Sequence, residues 1–330
     1  MGDQVNPRRK VALVIGLLAL TTPLAGLAQP AGRVRRIGVL SLSRDASDSS
    51  KLVSPRLQER GYIEGKHYSF DYRLAEGKPE RLPELAAELV RMNVDVIWAI
   101  ANASAFAAKS ATRTIPIVVW GAHGAFETGL VQNLARPGGN LTGVESLAPA
   151  IDAKRMELLK EIVPGLSRVD VLYNAGDQGS QFHLRAARDA GKTLGVAIST
   201  LEVRRPEDFD AVLSSAADKP PDALLTFSDT LTVGNWKRVA EFALARRVPT
   251  MCEFKEMAQA GCLVSYGASF AEFAEINARQ IARIFGGGNP GEMPIEQCTR
   301  FELVVNLKTA RDIGITIPKS VLLRADRVIE

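Results

Sequence analysis

Histidine, cysteine and acidic side chains are the groups of this chain that could carry out chemistry, and the three histidines come first. His67, His123 and His183 each stand apart from any Ser or Cys nucleophile motif, and no Gly-x-Ser-x-Gly sequence occurs. Only His123 lies at the carboxyl end of a predicted strand, in the segment 121–124 after the apolar run 116–120, where an imidazole could contact a ligand or act as a general base. We predict that His123 contacts a ligand, and we predict no catalytic residue and no enzyme activity.

The cysteines and the first acidic residues do not have the spacing of a metal site. Cys252, Cys262 and Cys298 are odd in number, and none lies in a Cys-x-x-Cys pair or close to a histidine. An exported chain could form one disulfide, but we expect small buried side chains instead. Asp45 and Asp48 lack metal-loop spacing, so we expect them in a solvated loop at the rim of a cleft. No metal and no cofactor is predicted.

Motifs for nucleotides and for nucleic acids are also missing. The segment GVLSLSRDASDS after the first apolar run contains no GxGxxG, and no Walker A sequence occurs. The formal net charge of +4 falls to +2 without residues 1–28, which hold three basic residues and one aspartate. Nucleic-acid binding needs a basic stripe or a recognisable motif, and we predict no nucleic-acid partner.

Small polar residues follow many of the predicted strands. Ligands of open parallel sheets bind outside the carboxyl ends of the strands, where Ser, Asn and Gly let backbone N–H groups approach a ligand. The alternative is that these residues only cap the helices that follow. The predicted ligand-binding residues are Ser41, Ser43, Asn102, Ser104, His123, Phe126, Asn174, Ser228, Asp229, Glu253 and Phe254.

Asp229 is the candidate with the most specific chemistry. It directly follows the predicted strand 223–228 and has no basic residue within five positions. A carboxylate there suits an ammonium or hydroxyl group of a ligand, and a hydrogen bond to a charged group contributes about 1.5–3 kcal/mol. The alternative is that Asp229 caps a helix beginning near Thr230.

The elements that must position these residues alternate along the chain. Apolar runs such as 36–42 and 94–100 predict buried strands, and segments with helical spacing such as 79–91 follow them. A short helix is predicted over 128–135 and a single helix over 230–246. Two successive series of strand–helix units predict an α/β protein with two doubly wound, Rossmann-like lobes and parallel sheets.

The N-terminal segment has the pattern of a signal peptide. Basic residues at 8–10 precede an uncharged apolar run at 11–20, and small residues lead up to Ala28. We expect a signal peptide of residues 1–28 and a periplasmic mature protein. The alternative is an uncleaved membrane anchor, but the run before Pro23 is short for spanning a bilayer.

Several ordered stretches resemble the substrate-binding proteins of ABC importers, whose best-understood relatives bind tryptophan or tyrosine. The stretches are RGYIEG at 60–65, ATRTIPIV at 111–118, GLV at 129–131 with LARPGGN at 134–140, AGCLVSYG at 260–267, and FELVVNLKTA at 301–310. The resemblance implies the type I periplasmic-binding-protein architecture, in which the ligand lies between two lobes joined by three crossings. Lobe 1 would comprise 33–147 and 266–292, and lobe 2 would comprise 148–265 and 293–330, with the later crossings near Ser265 and Met293.

The same resemblance implies a function. The chain would be the periplasmic solute-binding component of an ABC importer, a monomer whose partners are a small-molecule ligand and an ABC permease in the inner membrane. The ligand would be an amino acid, an aromatic compound or another small carboxylate, with Trp120 and Tyr266 among the nearest aromatic residues. Relatives usually carry a Gly-Thr-Pro-like turn after the third strand and often Gly-Asp-Pro after the fourth, whereas this chain has Asn102-Ala-Ser104 and Gly121-Ala-His-Gly124. These departures lie in the cleft, so the resemblance alone does not identify the ligand.

Two other functions remain open from the sequence. A ligand-sensing subunit that signals to a membrane receptor would use the same closing lobes. An enzyme on the same fold would need a nucleophile–base pair or a metal cluster, and the sequence contains neither pattern.

Overall fold

A computed structural model describes residues 33–146 and 148–330 of the protein. The signal peptide predicted for residues 1–28 lies outside this part of the chain. Within it, no helix is both long and apolar enough to cross a membrane.

Strands and helices alternate along the described chain, as the sequence predicts. The strands are β1 (Arg35–Ser41), β2 (Tyr68–Leu74), β3 (Val96–Ile100), β4 (Ile117–His123), β5 (Leu141–Ser146), β6 (Arg168–Asn174), β7 (Ala197–Val203), β8 (Ala223–Thr226), β9 (Thr250–Cys252), β10 (Val264–Ala268), β11 (Ile295–Gln297), β12 (Phe301–Asn306) and β13 (Arg327–Ile329). The helices are α1 (Ser47–Glu59), α2 (Leu82–Arg91), α3 (Ala101–Ala111), α4 (Ala148–Ile162), α5 (Ser180–Leu194), α6 (Asp208–Asp218), α7 (Thr230–Gly234), α8 (Trp236–Ala245), α9 (Lys255–Gln259), α10 (Phe270–Phe285), α11 (Leu307–Ile313) and α12 (Lys319–Leu322).

The strands form two sheets, which are the cores of the two lobes. The first sheet has the order β11-β5-β4-β3-β1-β2, and all its pairs are parallel. The second has the order β13-β12-β10-β9-β8-β6-β7, with one antiparallel pair between β10 and β12. Every residue of β3, β4 and β5 is buried, because helices cover both faces of a doubly wound sheet. The predicted fold class is confirmed.

Two of the predicted crossings between the lobes lie elsewhere. Strand β10 stays in the second sheet as far as Ala268, which pairs with Phe301, and α10 then packs on β4 and β5 of the first sheet. Strand β11 returns to the first sheet, where Ile295 pairs with Gly143. The expected assignment of 266–268 to lobe 1 and of 293–297 to lobe 2 is therefore wrong. These crossings follow Ala268 and Gln297 because strand pairing continues through the predicted boundaries.

Residues 128–135 form turns and not the predicted helix. Gly129 has a φ of 76°, in the left-handed region, and Val131 N donates to Ala125 O at 2.9 Å. Lys109 Nζ donates to the carbonyls of Gly129 and Leu130. These backbone groups therefore bond to partners outside a helical ladder.

The predicted helix over 230–246 is interrupted at Asn235, which separates α7 from α8. The φ and ψ of Asn235 are −111° and 10°, outside the helical range, and its side-chain amide donates to Leu231 O at 2.9 Å. Such side-chain bonds to nearby backbone groups compete with the helix ladder.

The cysteines differ in part from the expectation of free, buried thiols. Cys252 at the end of β9 and Cys262 before β10 form a disulfide, with Cα atoms 6.6 Å apart. The pairing of β9 with β10 brings them together, within the Cα separation that a disulfide requires. The free-thiol prediction is wrong for this pair, whereas Cys298 is free and buried.

Candidate ligand-binding site

A cavity of about 520 Å³ lies at the carboxyl ends of strands from both sheets. It is lined by Ser41 of β1, Ile100 of β3 and Trp120 of β4 in the first sheet, and by Ser228 after β8 and Phe254 after β9 in the second. Its volume is in the range of small-molecule sites. Its position is the one that the strand-end rule for open parallel sheets predicts.

The cavity brings together some of the predicted ligand-binding residues and leaves others outside its wall. The members that line it are Ser41, Ser43, His123, Ser228, Asp229 and Phe254. The members that do not line it are Asn102, Ser104, Phe126, Asn174 and Glu253.

Two of the residues outside the wall position residues that belong to it. The Asn102 side chain donates to His123 O at 2.8 Å and accepts from His123 N at 3.0 Å. Asn174 Nδ2 donates to Asp229 Oδ2. These amides therefore act behind the wall and fix the backbone of one lining residue and the side chain of another.

The other three have separate reasons for lying outside the wall. Ser104 is fully buried in α3, and its hydroxyl has no hydrogen-bond partner in the described chain. Phe126 is 55% exposed because the turn after Gly124, whose φ is 60°, directs the chain away from the cavity. Glu253 is buried and accepts from Ser146 Oγ at 3.0 Å.

Four aromatic side chains form an apolar wall: Trp120, Phe254, Phe270 and Phe273. The ring centroids of Phe254 and Phe270 are 4.2 Å apart, and those of Trp120 and Phe273 are 5.5 Å apart. Sequence reasoning missed Phe270 and Phe273, since aromatic residues at helical spacing are typical of a core. Tyr266, expected nearby, does not line the cavity and packs on Phe301. The wall suits an apolar or aromatic ligand body.

The rim on the first lobe is formed by the exposed loop that holds Asp45, as expected, and by the start of α1, which holds Asp48. Asp45 accepts from Ser47 N at 2.8 Å and from Ser47 Oγ at 3.1 Å, and these bonds lower the pKa of Asp45. Lys51, the one cationic side chain among the described residues of the wall, pairs with Asp48 at 2.9 Å. No arginine of the described chain reaches the cavity.

Asp229 both caps a helix and lines the cavity, so its position agrees with each of the two alternatives that the sequence left open. Its Oδ1 accepts from Thr232 N at 2.8 Å and completes a capping box at the start of α7, while the residue lines the cavity. Burial, with repulsion from Asp177 as a second cause, raises the pKa of Asp229 to about 6. The cap uses one carboxylate oxygen, and the other is held by Asn174.

Behind His123 lies a chain of buried polar side chains. His123 Nδ1 is 3.2 Å from His183 Nε2, and His183 Nδ1 is 2.6 Å from Asp152 Oδ2. Asp152 Oδ1 accepts from Arg155 at 2.7 Å. Asp152 and Arg155 belong to α4 and His183 to α5, and no sequence motif links them. Burial and the neighbouring His183 lower the pKa of His123.

The same cluster continues to Glu253 and joins the lobes. Arg155 lies 3.5 Å from Glu253 Oε1, which also accepts from Ser146 at the end of β5. Burial alone would raise the pKa of Glu253, but the attraction of Arg155 is the first of the effects that oppose it, and the pKa is lowered. Since Ser146 ends a strand of the first sheet and Glu253 follows a strand of the second, these buried bonds connect the two lobes.

One lining residue has an unusual backbone. Ala101, at the junction of β3 and α3, has a φ of 62°, in the left-handed region that non-glycine residues adopt at a cost. It follows the third strand, where the resemblance had marked a departure from the usual Gly-Thr-Pro-like turn. Strained backbone at a cavity wall is typical of functional sites.

The comparisons with known proteins agree with this architecture. The family model described as ABC transporter substrate binding protein matches residues 40–329. The tyrosine-binding protein of Clostridioides difficile is 25% identical over 283 residues, which cover 85% of this chain and 81% of that protein.

Solved structures show the same fold. A conserved domain protein from Vibrio cholerae O1 biovar El Tor has a TM-score of 0.84 and 28% identity, covering 90% of this chain and all of that one. An ABC domain in complex with L-Trp from Streptococcus pneumonia has a TM-score of 0.81 and 24% identity, again over 90% of this chain and all of that one. With a family match that spans most of the sequence, this chain belongs to the ABC transporter substrate binding protein family.

Proposed function

We propose that the protein is the periplasmic solute-binding component of an ABC importer and that its lobes close on an amino acid or a related aromatic compound. The observation that carries this proposal is the cavity at the strand ends of both sheets, with four aromatic side chains and Asp229 in its wall. The partners would be an ABC permease of the inner membrane and the ligand itself, and the protein would work as a monomer.

The choice of ligand class rests on the wall and on relatives. The aromatic side chains provide an apolar surface, and Asp229 provides an acceptor for an ammonium group. One relative is named a tyrosine-binding protein and one structural neighbour is in complex with L-Trp. These ligands are therefore the first to test.

Binding rather than catalysis fits the polar groups of the wall. The imidazole of His123 contacts His183, and none of the cavity hydroxyls in the described chain bonds to it. Ser41 Oγ instead contacts Ser43 Oγ at 2.9 Å, and Ser228 Oγ contacts the sulfur of Met257. A serine nucleophile needs a base within hydrogen-bond reach.

The lobes also approach each other closely enough to enclose a ligand. A Cβ atom built on Gly179 before α5 would lie 2.7 Å from His123 Cβ, and one built on Gly77 would lie 2.7 Å from Pro206. Both contacts join residues of different lobes, as in a hinge-closed receptor.

Isothermal titration calorimetry with L-tryptophan, L-tyrosine and L-phenylalanine tests the proposal. We expect saturable binding of at least one at a stoichiometry of one, with no chemical change in the recovered ligand. Because a ligand that binds only the native state stabilises it, thermal unfolding is a second readout. Recovery of a chemically altered ligand, or of the protein from the cytoplasm with residues 1–28 intact, would contradict the proposal.

A further inference from the structure

We propose that His123 presents a fixed Nε2–H group to the cavity and that this group binds the carboxylate of the transported ligand. The inference rests on the proposed binding function and names a specificity-determining contact within it. It depends on three features: the order of protons along the buried chain, the orientation of His123, and the shortage of other cationic groups in the wall.

The proton order follows from the partners of His183. Its Nδ1 faces the carboxylate of Asp152 at 2.6 Å, so this nitrogen carries a proton and donates it. If His183 is an imidazolium, its Nε2 also carries a proton and donates to His123 Nδ1 at 3.2 Å. His123 must then accept at Nδ1, and a neutral imidazole that accepts at one nitrogen carries its proton on the other.

The charges around His183 favour the imidazolium. Asp152 and Glu253 are buried carboxylates, and Arg155 is the buried cation of this cluster. A neutral His183 would leave the negative charges in excess in a buried site, which is costly. Although burial lowers the pKa of His183, the attraction of Asp152 outweighs it and raises the pKa.

The orientation of His123 is fixed on several sides. Asn102 holds its backbone N–H and carbonyl, and Gly179 approaches its Cβ too closely for another side chain to fit between them. Its ring packs edge-on against His183, with centroids 4.8 Å apart. His123 lines the cavity, and its Nε2 has no hydrogen-bond partner in the part of the chain described. The donor is therefore preorganised and available to a ligand.

The wall offers a carboxylate few other charged partners. Its cationic side chain, Lys51, is 71% exposed at the rim beside Asp48, where water weakens its attraction for a ligand carboxylate. The first N–H of α1 at Ser47 is already bound by Asp45. An imidazole N–H backed by an imidazolium is polarised and so is a stronger donor than an isolated one. Asp229 accepts from the ammonium group of the same ligand. Together they fit a zwitterion with an apolar body.

Nitrogen-15 NMR of the ligand-free protein tests the proton order without any ligand. The chain contains three histidines, so the imidazole signals can be assigned by substitution. We expect His123 to be protonated at Nε2 and not at Nδ1, and His183 to be protonated at both nitrogens. His183→Gln, whose amide can still donate to His123 Nδ1, should keep this tautomer, and His183→Phe should abolish the preference. A proton on His123 Nδ1 in the unchanged protein overturns the inference.

Calorimetry with three indole probes tests the contact itself. L-tryptophan has both charged groups, indole-3-propionate lacks the ammonium group, and tryptamine lacks the carboxylate. His123→Asn keeps a polar atom near His183 but has none at the Nε2 position. It should lower the affinity for L-tryptophan and for indole-3-propionate by about ten- to a hundredfold. Tryptamine should bind the variant as it binds the unchanged protein. His123→Gln, which can reach the Nε2 position, should restore most of the loss.

The outcomes separate this inference from the function on which it rests. Equal losses for tryptamine and for the carboxylates would show that His123 does not contact the carboxylate. If none of the probes binds the unchanged protein, the proposed ligand class is wrong, and the NMR result alone then decides the proton order.

Discussion

The side-chain amide of Asn174 donates a hydrogen bond to the carboxylate of Asp229, so a residue at the end of one strand orients the acidic group of the neighbouring strand end. Asn174 does not itself line the cavity, whereas Asp229 does. Substitutions at these two positions can therefore remove the charge of Asp229 from the cavity wall while either breaking or keeping the hydrogen bond between the two side chains.

Asp229→Asn should lower the affinity for L-tryptophan by about ten- to a hundredfold, because it removes the charge that faces the ammonium group. It should also destabilise the ligand-free protein by about 1–3 kcal/mol, since two amide donors then face each other. The double variant Asn174→Asp/Asp229→Asn restores the bond but places the carboxylate behind the wall. Thermal unfolding should recover in the double variant while calorimetry still shows weak binding. Recovery of affinity as well would mean that Asp229 only caps α7.

The pH dependence of amine binding should follow Asp229, whose pKa is raised to about 6. Below this value the residue is protonated, so tryptamine affinity should rise with pH as the carboxylate forms and level off above it. The stability of the ligand-free protein should change in the opposite sense. A raised carboxyl pKa stabilises the folded state at pH values below the unfolded pKa, and this contribution is lost as pH rises to about 6. Titration calorimetry across this range, with Asp229→Asn as a pH-insensitive control, checks the prediction.

Gly179→Ala should hinder closure of the lobes. The added Cβ would lie 2.7 Å from His123 Cβ, while the φ of −64° and ψ of −35° at Gly179 suit alanine without strain. Ligand affinity should fall, and small-angle scattering with ligand should give a larger radius of gyration than for the unchanged protein. Gly286→Ala is the matched control, because the new Cβ would make only ordinary contacts, at 3.4 Å to Arg283 O and 3.7 Å to Ala282 O, and it should behave as the unchanged protein. Identical scattering and affinity for both variants would count against a closing mechanism.

The disulfide between Cys252 and Cys262 should stabilise the second lobe. It closes a loop with a sequence separation of 10, for which constraint of the unfolded chain gives about 2–3 kcal/mol. Reductant should therefore lower the midpoint of thermal unfolding, and Cys252→Ser/Cys262→Ser should show the same midpoint with and without it. Cys298→Ala retains the bridge and should remain sensitive to reductant. A midpoint that reductant does not change would show that the bridge is absent from the protein in solution.

The residues of the cavity wall were predictable from the sequence where they lie at the carboxyl ends of strands. Ser41 and His123 are the last residues of β1 and β4, and Ser228 lies two residues after β8. Parallel strands bring the residues at their carboxyl ends to one edge of the sheet. Asn102 and Asn174 come from the same edge but turn inward to hold their neighbours. A sequence shows where such a residue lies along the strand, but the direction of its side chain depends on packing.

The buried cluster behind His123 carried no sequence signal. Asp152 and His183 come from separate helices and meet only because α4 packs on α5. In the sequence, each of these polar residues looks like an ordinary residue of an exposed helix face. The short strand β11 was missed for a related reason. Its three residues are too few to show a period, and pairing with β5 makes them a strand.

The crossing after β10 places the aromatic wall of the cavity next to the point where the chain passes from one lobe to the other. Ser269 alone separates β10 of one lobe from α10 of the other, and α10 begins with Phe270 and Phe273, two members of the aromatic wall. The first turn of α10, which carries part of the aromatic wall, is thus attached directly to a crossing between the lobes. In the proposed closing mechanism, a ligand that packs on Phe270 and Phe273 would press next to this crossing, so its size would affect the angle between the lobes.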